Sequence, residues 1–162
     1  MARIGAFSDS HEHIAAIAEA VNLFNHRNLD MVIHCGDLIS PIMVRELRNL
    51  KPKLHFVFGN NDGERLILEK SLRESGASVY VGPSTIEAGG SKILFMHEPV
   101  CIEQLAGSGD FDLILFGHTH NAVNELHGRT RVVNPGETCG LLTGQKTIAV
   151  IDTEGECEVI RL

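Results

Sequence analysis

Short polar clusters follow five apolar segments of this chain. They are Asp9-Ser10-His11, Gly36-Asp37, Gly59-Asn60-Asn61-Asp62, His97-Glu98-Pro99 and Gly117-His118-Thr119-His120. In open α/β sheets, ligands bind just beyond the carboxyl ends of the strands. If the apolar segments are strands, we expect the five clusters to converge on one site.

The clusters contain side chains that bind metal ions through oxygen and imidazole nitrogen, without a thiolate. The candidate ligands are Asp9, His11, Asp37, Asn60, His97, His118 and His120. This mixture suits Mn²⁺, Fe²⁺, Zn²⁺, Co²⁺ or Ni²⁺ better than Ca²⁺ or Mg²⁺ alone. One catalytic zinc takes about three protein ligands, so seven suit two ions that share a carboxylate. We therefore predict two divalent metal ions, with Mn²⁺ expected first.

Each cluster taken alone also has a plainer explanation. Asp and His at the end of a strand serve as turn or cap residues, and Asn60-Asn61-Asp62-Gly63 is typical of a turn. His118 and His120 are more specific, because two imidazoles two residues apart on an extended segment can share one side. The joint position of all five clusters at strand ends favours the metal site.

The other histidines are interpreted as surface or strand residues. They are His13, His26, His55 and His127. His34 lies three residues before Asp37 and has two interpretations, as a buried strand residue or as a residue that lines the pocket.

Strands and helices alternate in the first half of the chain. We predict strands over residues 3–8, 31–35 and 54–58, and helices over 12–26, from Ser40-Pro41 onward, and over 64–75. Ser10 is expected to cap the first helix. Gly76 is expected to end the third helix.

The second half is predicted to be mainly β. Strands are expected over 78–81, 85–88, 92–96, 112–116, 122–127, 130–133, 147–152 and 156–162, with a short helix over 101–106. Gly89-Gly90 and Gly128 indicate hairpin turns. The continuous apolar strands imply burial on both faces, so we predict a layered α/β fold with two packed sheets and outer helices, in one domain over residues 1–162.

Composition limits the choice of partners and location. The net charge of −7 argues against general nucleic-acid binding, although bound cations would still allow a phosphate substrate. Cys35, Cys101, Cys139 and Cys157 form no C-x-x-C pair and are expected to be reduced. We see neither a signal peptide nor an apolar run of the ~18 residues that span a bilayer. A cytoplasmic protein is therefore expected, and base rates favour a homodimer.

The motifs D-x-H, G-D, G-N-x-D, H-x-P and G-H-x-H, in this order, resemble the calcineurin-like metallophosphoesterase superfamily. Asn134-Pro135-Gly136 and the chain length resemble its small phosphodiesterase branch. The resemblance implies a four-layer α/β/β/α sandwich, in which two mixed sheets are flanked by helices. It also implies a metal-dependent hydrolase of phosphoric ester bonds, most specifically a phosphodiesterase with a small phosphoester substrate.

The resemblance further implies how the ligands divide between the two ions. One ion would take Asp9, His11 and His120, and the other would take Asn60, His97 and His118. Asp37 would bridge the ions together with a hydroxide that attacks phosphorus in line.

One position departs from the pattern of many relatives. Where they have a histidine after G-N, which contacts phosphate and is proposed to help the leaving group, this chain has Asn61. An amide cannot donate a proton as an imidazolium can. Asn61 is therefore expected to contact phosphate without protonating the leaving group, which favours diesters with good leaving groups.

Two other functions compete with the enzyme. A non-catalytic metal-binding scaffold of the same fold is the main alternative. A eukaryotic retromer subunit resembles the same small branch and works chiefly as an interaction module. The complete set of seven ligands in this chain favours the enzyme. His11-x-His13 resembles the histidine pair of amidohydrolases, but their barrels need about 250 residues. No P-loop motif occurs in the chain.

Overall fold

A computed structural model describes residues 1–162 and contains two mixed β-sheets with helices on their outer faces. The strands are β1 (Arg3–Phe7), β2 (Met31–His34), β3 (Lys53–Val57), β4 (Ser78–Tyr80), β5 (Ser84–Ala88), β6 (Ser91–Phe95), β7 (Leu113–Leu115), β8 (Val123–His127), β9 (Thr130–Asn134), β10 (Thr147–Asp152) and β11 (Cys157–Arg161). The helices are α1 (Ile14–Asn25), α2 (Val44–Leu47), α3 (Arg65–Glu74) and α4 (Ile102–Ser108).

The strand order places the parallel strands of each sheet next to one another. The first sheet has the order β11-β10-β1-β2-β3-β4, in which β1 to β4 run parallel. The second sheet has the order β5-β6-β7-β9-β8, in which β6, β7 and β9 run parallel. The carboxyl ends of parallel strands lie at one edge of their sheet, so each sheet gathers several strand ends there.

Three apolar clusters separate four layers. Phe24 of α1 and Leu68 of α3 pack with the first sheet. Ile33 of the first sheet and Phe95 of the second belong to the cluster between the sheets. The third cluster joins Ala106 of α4 to the outer face of the second sheet. The predicted four-layer α/β/β/α sandwich of two mixed sheets is therefore confirmed.

The first helix begins later than predicted. His13, not Ser10, caps α1, and its Nδ1 accepts a hydrogen bond from Ala16 N at 3.2 Å. The backbone of Glu12 has a φ of +58°, which a helix cannot contain, so the turn before α1 extends to His13. The hydroxyl of Ser10 instead contacts Nε2 of His34 at 3.1 Å.

Several local predictions agree closely with the structure. Gly89-Gly90 joins β5 to β6, and Gly128 lies in the turn between β8 and β9. Gly76, with a φ of +92°, follows α3. Ser40-Pro41 starts only a short 3₁₀ turn, Pro41–Met43, which leads into the single helical turn α2.

The structure contains neither a disulfide bond nor a helix that could cross a membrane. All four cysteines are free, as predicted; Cys35 and Cys139 are buried, and Cys101 is exposed. None of the helices combines the length and the apolar character that crossing a bilayer requires.

Candidate metal centre

All seven predicted ligands lie at the edge where the parallel strands end. Asp9 and His11 follow β1, Asp37 follows β2, and Asn60 follows β3. From the second sheet, His97 follows β6, and His118 and His120 follow β7. The five clusters converge across the two sheets, as the polar contacts below show.

Left-handed backbone conformations are concentrated in this site. Five of the seven predicted ligands have a φ between +38° and +67° without being glycine: Asp9, His11, Asp37, His118 and His120. Such residues are uncommon, and strained backbone clusters at functional sites because the surrounding structure must hold it. The ligand loops are therefore held in conformations that local sequence preference does not favour.

Two motif glycines allow the loops to approach closely. A Cβ atom on Gly59 would overlap Oδ1 and the backbone N of Asp37. A Cβ atom on Gly117 would overlap Oγ of Ser8 and lie 2.8 Å from Oδ2 of Asp9. Glycine is needed at these positions because the neighbouring loop occupies the space of a side chain.

Asp9, His11 and His120, which we call the Asp9 side, point their free atoms at one another. Nε2 of His120 lies 3.4 Å from Oδ1 of Asp9, and Nε2 of His11 lies 3.9 Å from the same oxygen. Asp9 Oδ1 and His11 Nε2 are buried and have no hydrogen-bond partner. Buried polar atoms are almost always paired, so these unpaired atoms indicate a position for a cation.

Asn60, His97 and His118, the Asn60 side, form a tighter group. Oδ1 of Asn60 lies 2.8 Å from Nε2 of His97 and 3.0 Å from Nδ1 of His118. The two imidazole nitrogens are 3.3 Å apart. Asn60 and His118 are exposed, whereas His97 is buried. The three donor atoms can therefore bind one ion near the surface.

Asp37 lies between the two sides. Its Oδ2 is 3.7 Å from Nε2 of His11 and 3.5 Å from Nε2 of His97. Asn61 closes over this carboxylate, donating from its backbone N to Oδ1 at 2.9 Å and from Nδ2 to Oδ2 at 2.8 Å. Asp37 thus lies within reach of His11 on one side and of His97 on the other.

Hydrogen bonds behind the ligands orient two imidazoles. Nδ1 of His97 lies 2.7 Å from the carbonyl oxygen of Cys35, and Nδ1 of His120 lies 2.8 Å from Oε2 of Glu137. Both oxygens accept, so each Nδ1 carries the proton and donates. This leaves the lone pair of each Nε2 directed into the site, the arrangement that supports metal-binding histidines.

Glu137 is a residue that the motifs did not identify. It is fully buried behind His120 and also accepts from the backbone N and the hydroxyl of Thr143, at 2.5 and 2.7 Å. Burial opposes its ionisation, but the hydrogen bonds from His120 and Thr143 prevail and lower the pKa of Glu137 to about 2. Glu137 follows β9 as the ligand clusters follow their strands, and that position is the signal that could have revealed it.

Cys139 lies beside Glu137 but remains a thiol. Its Sγ donates to Oε2 of Glu137 at 3.3 Å, and burial is the main cause that raises its pKa to about 12. The carboxylate of Glu137 in the group of His120, Glu137 and Cys139 already accepts hydrogen bonds from His120 and Thr143, so we interpret this group as support for the Asp9 side.

Asp62 ties the second and third ligand loops together. Its carboxylate accepts from the backbone N of Asp37 at 3.1 Å, Leu38 and Ile39 at 2.8 Å, and Gly59 at 2.7 Å. Four backbone donors on one buried carboxylate fix the relative position of the loops that carry Asp37 and Asn60. This explains the aspartate of the G-N-x-D motif.

His34 does not line the pocket. It is fully buried, with its ring 4.3 Å from that of Phe7 and 5.1 Å from that of Phe56. Its Nδ1 accepts from Gly36 N at 3.1 Å. Burial lowers its pKa to about 3, so this histidine supports the loops in the neutral form. His55 is likewise buried and contacts the hydroxyl of Tyr80, whereas His26 is exposed.

The donor atoms fit divalent cations. Burial raises the pKa of Asp9, which shows that this carboxylate lacks enough neutralising charge from the protein alone. A cation would supply that charge and would pair with Asp9 Oδ1 and His11 Nε2. The residues present therefore suit oxygen- and nitrogen-bound metal ions.

Comparison with known proteins agrees with this geometry. A family profile of the calcineurin-like phosphoesterase superfamily domain matches residues 2–156. Phosphodiesterase MJ0936 of Methanocaldococcus jannaschii is 37% identical over 155 residues, which cover 94% of this chain and 93% of that protein. A probable metallophosphoesterase of Methanothermobacter thermautotrophicus is 28% identical over 171 residues, covering 98% of this chain and 91% of that protein.

Solved structures give the same result. A structure described as a novel archaeal phosphodiesterase has a TM-score of 0.92 at 37% identity and covers 99% of each chain. Vps29 from Chaetomium thermophilum, with a TM-score of 0.71 at 16% identity, covers 100% of this chain and 97% of its own and shares the fold. The chain therefore belongs to the calcineurin-like phosphoesterase superfamily, which confirms the resemblance of its motifs and the prediction of a metal-dependent phosphoester hydrolase.

Proposed function

We propose that the protein is a phosphodiesterase that uses two divalent metal ions at the converging strand ends. The observation that carries this proposal is the pair of buried, unpartnered atoms Asp9 Oδ1 and His11 Nε2, which face the remaining candidate ligands. The 37% identity to a protein named a phosphodiesterase supports the choice of diester.

The ligands would divide by the two sides of the site. Asp9, His11 and His120 would hold one ion, Asn60, His97 and His118 the other, and Asp37 both. When bound, the two ions would supply an activated water and would neutralise charge on the phosphoryl group. We propose Mn²⁺ first, with Ni²⁺, Fe²⁺, Zn²⁺ and Co²⁺ as alternatives that the same donors accept.

The protein's own residues would orient the ligands and bind the phosphate. Glu137 and the carbonyl of Cys35 hold the protons on Nδ1 of His120 and His97, so each Nε2 remains available. Asn61 lies over Asp37 with an amide that can donate to a phosphate oxygen. No imidazole stands at this position to protonate a leaving group, so substrates with good leaving groups should react fastest.

Hydrolysis of bis(p-nitrophenyl) phosphate by the full chain tests the proposal. We expect turnover that needs Mn²⁺, is abolished by a chelator and returns when the metal is restored. A diester with alkyl arms assayed in parallel should react more slowly, because Asn61 cannot supply a proton to a poor alkoxide leaving group. Absence of metal-restored turnover with several diesters would reject the enzyme in favour of the scaffold.

The scaffold alternative makes a separate prediction. A scaffold of the same fold would bind the metal ions and show no turnover in the same assay.

We also propose that residues 1–162 form one domain and that the protein is cytoplasmic. We further propose that it forms a homodimer. Size-exclusion chromatography with light scattering would test the homodimer.

A further inference from the structure

A cleft of about 400 Å³ opens directly beside the Asn60 side of the metal centre. Asn60 and His97 form part of its wall, so it shares residues with the proposed catalytic site. Its volume lies within the ~300–1,000 Å³ that is usual for small-molecule sites. A group attached to a phosphate at the metal centre can therefore extend into it.

The cleft has apolar walls. Met96 and Phe58 are buried, with 1% and 6% exposure, whereas Val81 and Val100 are 75% and 55% exposed. Val81 lies in the segment that connects the two sheets, and Val100 follows the His97 loop. Exposed aliphatic side chains on both walls leave apolar surface for a ligand to cover.

Arg65 forms a fixed planar surface in this cleft. Its Nη2 donates to the carbonyl of Gly59 at 2.7 Å, and its Nε donates to the carbonyl of Asp62 at 3.3 Å. The guanidinium carbon lies 5.3 Å from the centre of the Phe58 ring. The aromatic ring and the two carbonyls hold the guanidinium in place, and the arginine is exposed, so its remaining surface is available for stacking.

The charge in the cleft is balanced rather than strongly positive. Arg65 is its one cation, and the exposed Glu98 is its one anion. Nε and Nη2 of Arg65 already donate hydrogen bonds to two carbonyl groups. This combination suits an uncharged planar ring better than a second phosphate, which would also meet Glu98.

We propose that the cleft binds one ester arm of the phosphodiester, that this arm is a planar aromatic group such as an aryl ring or a nucleobase, and that Arg65 determines the preference by stacking on it. The inference rests on the proposed function, because it places the phosphate at the two metal ions. Stacking on an arginine or an aromatic ring contributes enough for roughly tenfold tighter binding.

Calorimetric binding of phenylphosphonate and methylphosphonate to the Mn²⁺-loaded protein tests this inference. The two probes share the phosphonate and differ only in the arm. We expect phenylphosphonate to bind roughly tenfold tighter. Arg65→Ala should reduce the ratio to about two or less, and Arg65→Lys should do the same, because an ammonium group offers no plane.

Two further variants separate stacking from indirect effects. Lys70→Ala removes a positive charge from the same helix at a side chain that is 76% exposed, and it should keep the tenfold ratio. Val100→Trp adds bulk at an exposed wall, so it should block the phenyl arm and leave methylphosphonate binding within about twofold.

The outcomes distinguish the two proposals. Equal binding of both phosphonates, or a tenfold ratio that survives Arg65→Ala and Val100→Trp, would overturn the aromatic arm site while Mn²⁺-dependent diester hydrolysis persists. Absence of both hydrolysis and phosphonate binding would overturn the proposed function and this inference together.

Discussion

Two ligand atoms on the Asp9 side have no hydrogen-bond partner, whereas the ligands on the Asn60 side share one proton donor, Nδ1 of His118. Asp9 Oδ1 and His11 Nε2 are buried and unpaired. On the other side, Asn60 Oδ1 is within 3.0 Å of both His97 and His118. Groups behind the Asp9 side hold its shape. The Asn60 side has an internal hydrogen bond from His118 even without an ion.

The supporting residues also differ between the two sides, although Asp62 fixes the loops that carry Asp37 and Asn60. Glu137 and His34 stand behind the Asp9 side, and both are fully buried. On the Asn60 side, only the carbonyl of Cys35 orients an imidazole, and Asn60 and His118 are exposed. Pre-organised ligands bind more tightly than ligands that must first separate, so the two proposed ions should differ in affinity.

Asp37→Asn should have the largest effect, because Asp37 is the ligand proposed to join both sides. We expect kcat/KM for a diester to fall by at least about a hundredfold, since an amide cannot neutralise two cations. Asn61→Ala, which removes a neighbour of Asp37 but no proposed ligand, should lose less than about tenfold. Comparable losses in steady-state assays of the two variants would contradict the bridging role.

Glu137→Gln should weaken Mn²⁺ binding on the Asp9 side by about 10–100-fold, because His120 loses the carboxylate that orients it. Calorimetric titration with Mn²⁺ would measure this. Glu125→Gln is the matched control: Oε2 of Glu125 also contacts a histidine, His127 at 3.1 Å, but that pair is at the surface. Equal metal affinity in both variants would show that Glu137 does not position His120.

His34 should make the stability of the metal-free protein depend on pH. Burial lowers its pKa from 6.5 to about 3, so the unfolded chain binds the proton first as the pH falls below 6.5. The contribution is complete above pH 6.5 and is lost progressively toward pH 3. Between pH 7 and pH 5, the free energy of unfolding should fall by about 2 kcal/mol from this residue.

Urea unfolding at the two pH values measures this loss, and His34→Gln should remove it. His26→Gln, which replaces an exposed histidine, should retain the loss. An unchanged pH dependence in the His34 variant would show that this residue does not support the Asp9 side in its neutral form.

The two sides should also bind Mn²⁺ with affinities that differ by roughly tenfold, because an ion on the Asn60 side must replace the hydrogen bond donated by Nδ1 of His118, worth about 1 kcal/mol net. His11→Ala should abolish the tighter step of a calorimetric titration, and His118→Ala the weaker one. A reversed assignment, or two equal steps in the wild-type protein, would remove the distinction between the sides.

Periodicity and strand ends predicted the layers and the positions of the polar clusters. The alternation of apolar strands with helices up to Ser75 is a local property, so the spacing of apolar residues predicts it. The start of α1 was wrong because the site holds Asp9, His11 and Glu12 at positive φ, a constraint imposed by tertiary contacts.

Glu137 and His34 show why the supporting residues are harder to predict. Both act through partners that are distant in the sequence: His120 is 17 residues from Glu137, and Ser10 is 24 residues from His34. Only the position of Glu137 after β9 marks it, and the local sequence does not identify its partner or that of His34. The role of Arg65 could not be predicted for the same reason, because the two carbonyl groups that it contacts approach it only in the folded loop.

Part of the cleft wall lies outside the segments that carry the metal ligands. Val81 to Pro83 connect β4 to β5 and contain no candidate ligand, and Val100 lies beyond His97. An engineer can therefore randomise these positions without altering the hydrolytic residues. An ester arm bound in this cleft, as proposed, would make substrate choice a modular property, which directed evolution could vary while a single assay reports retained hydrolysis.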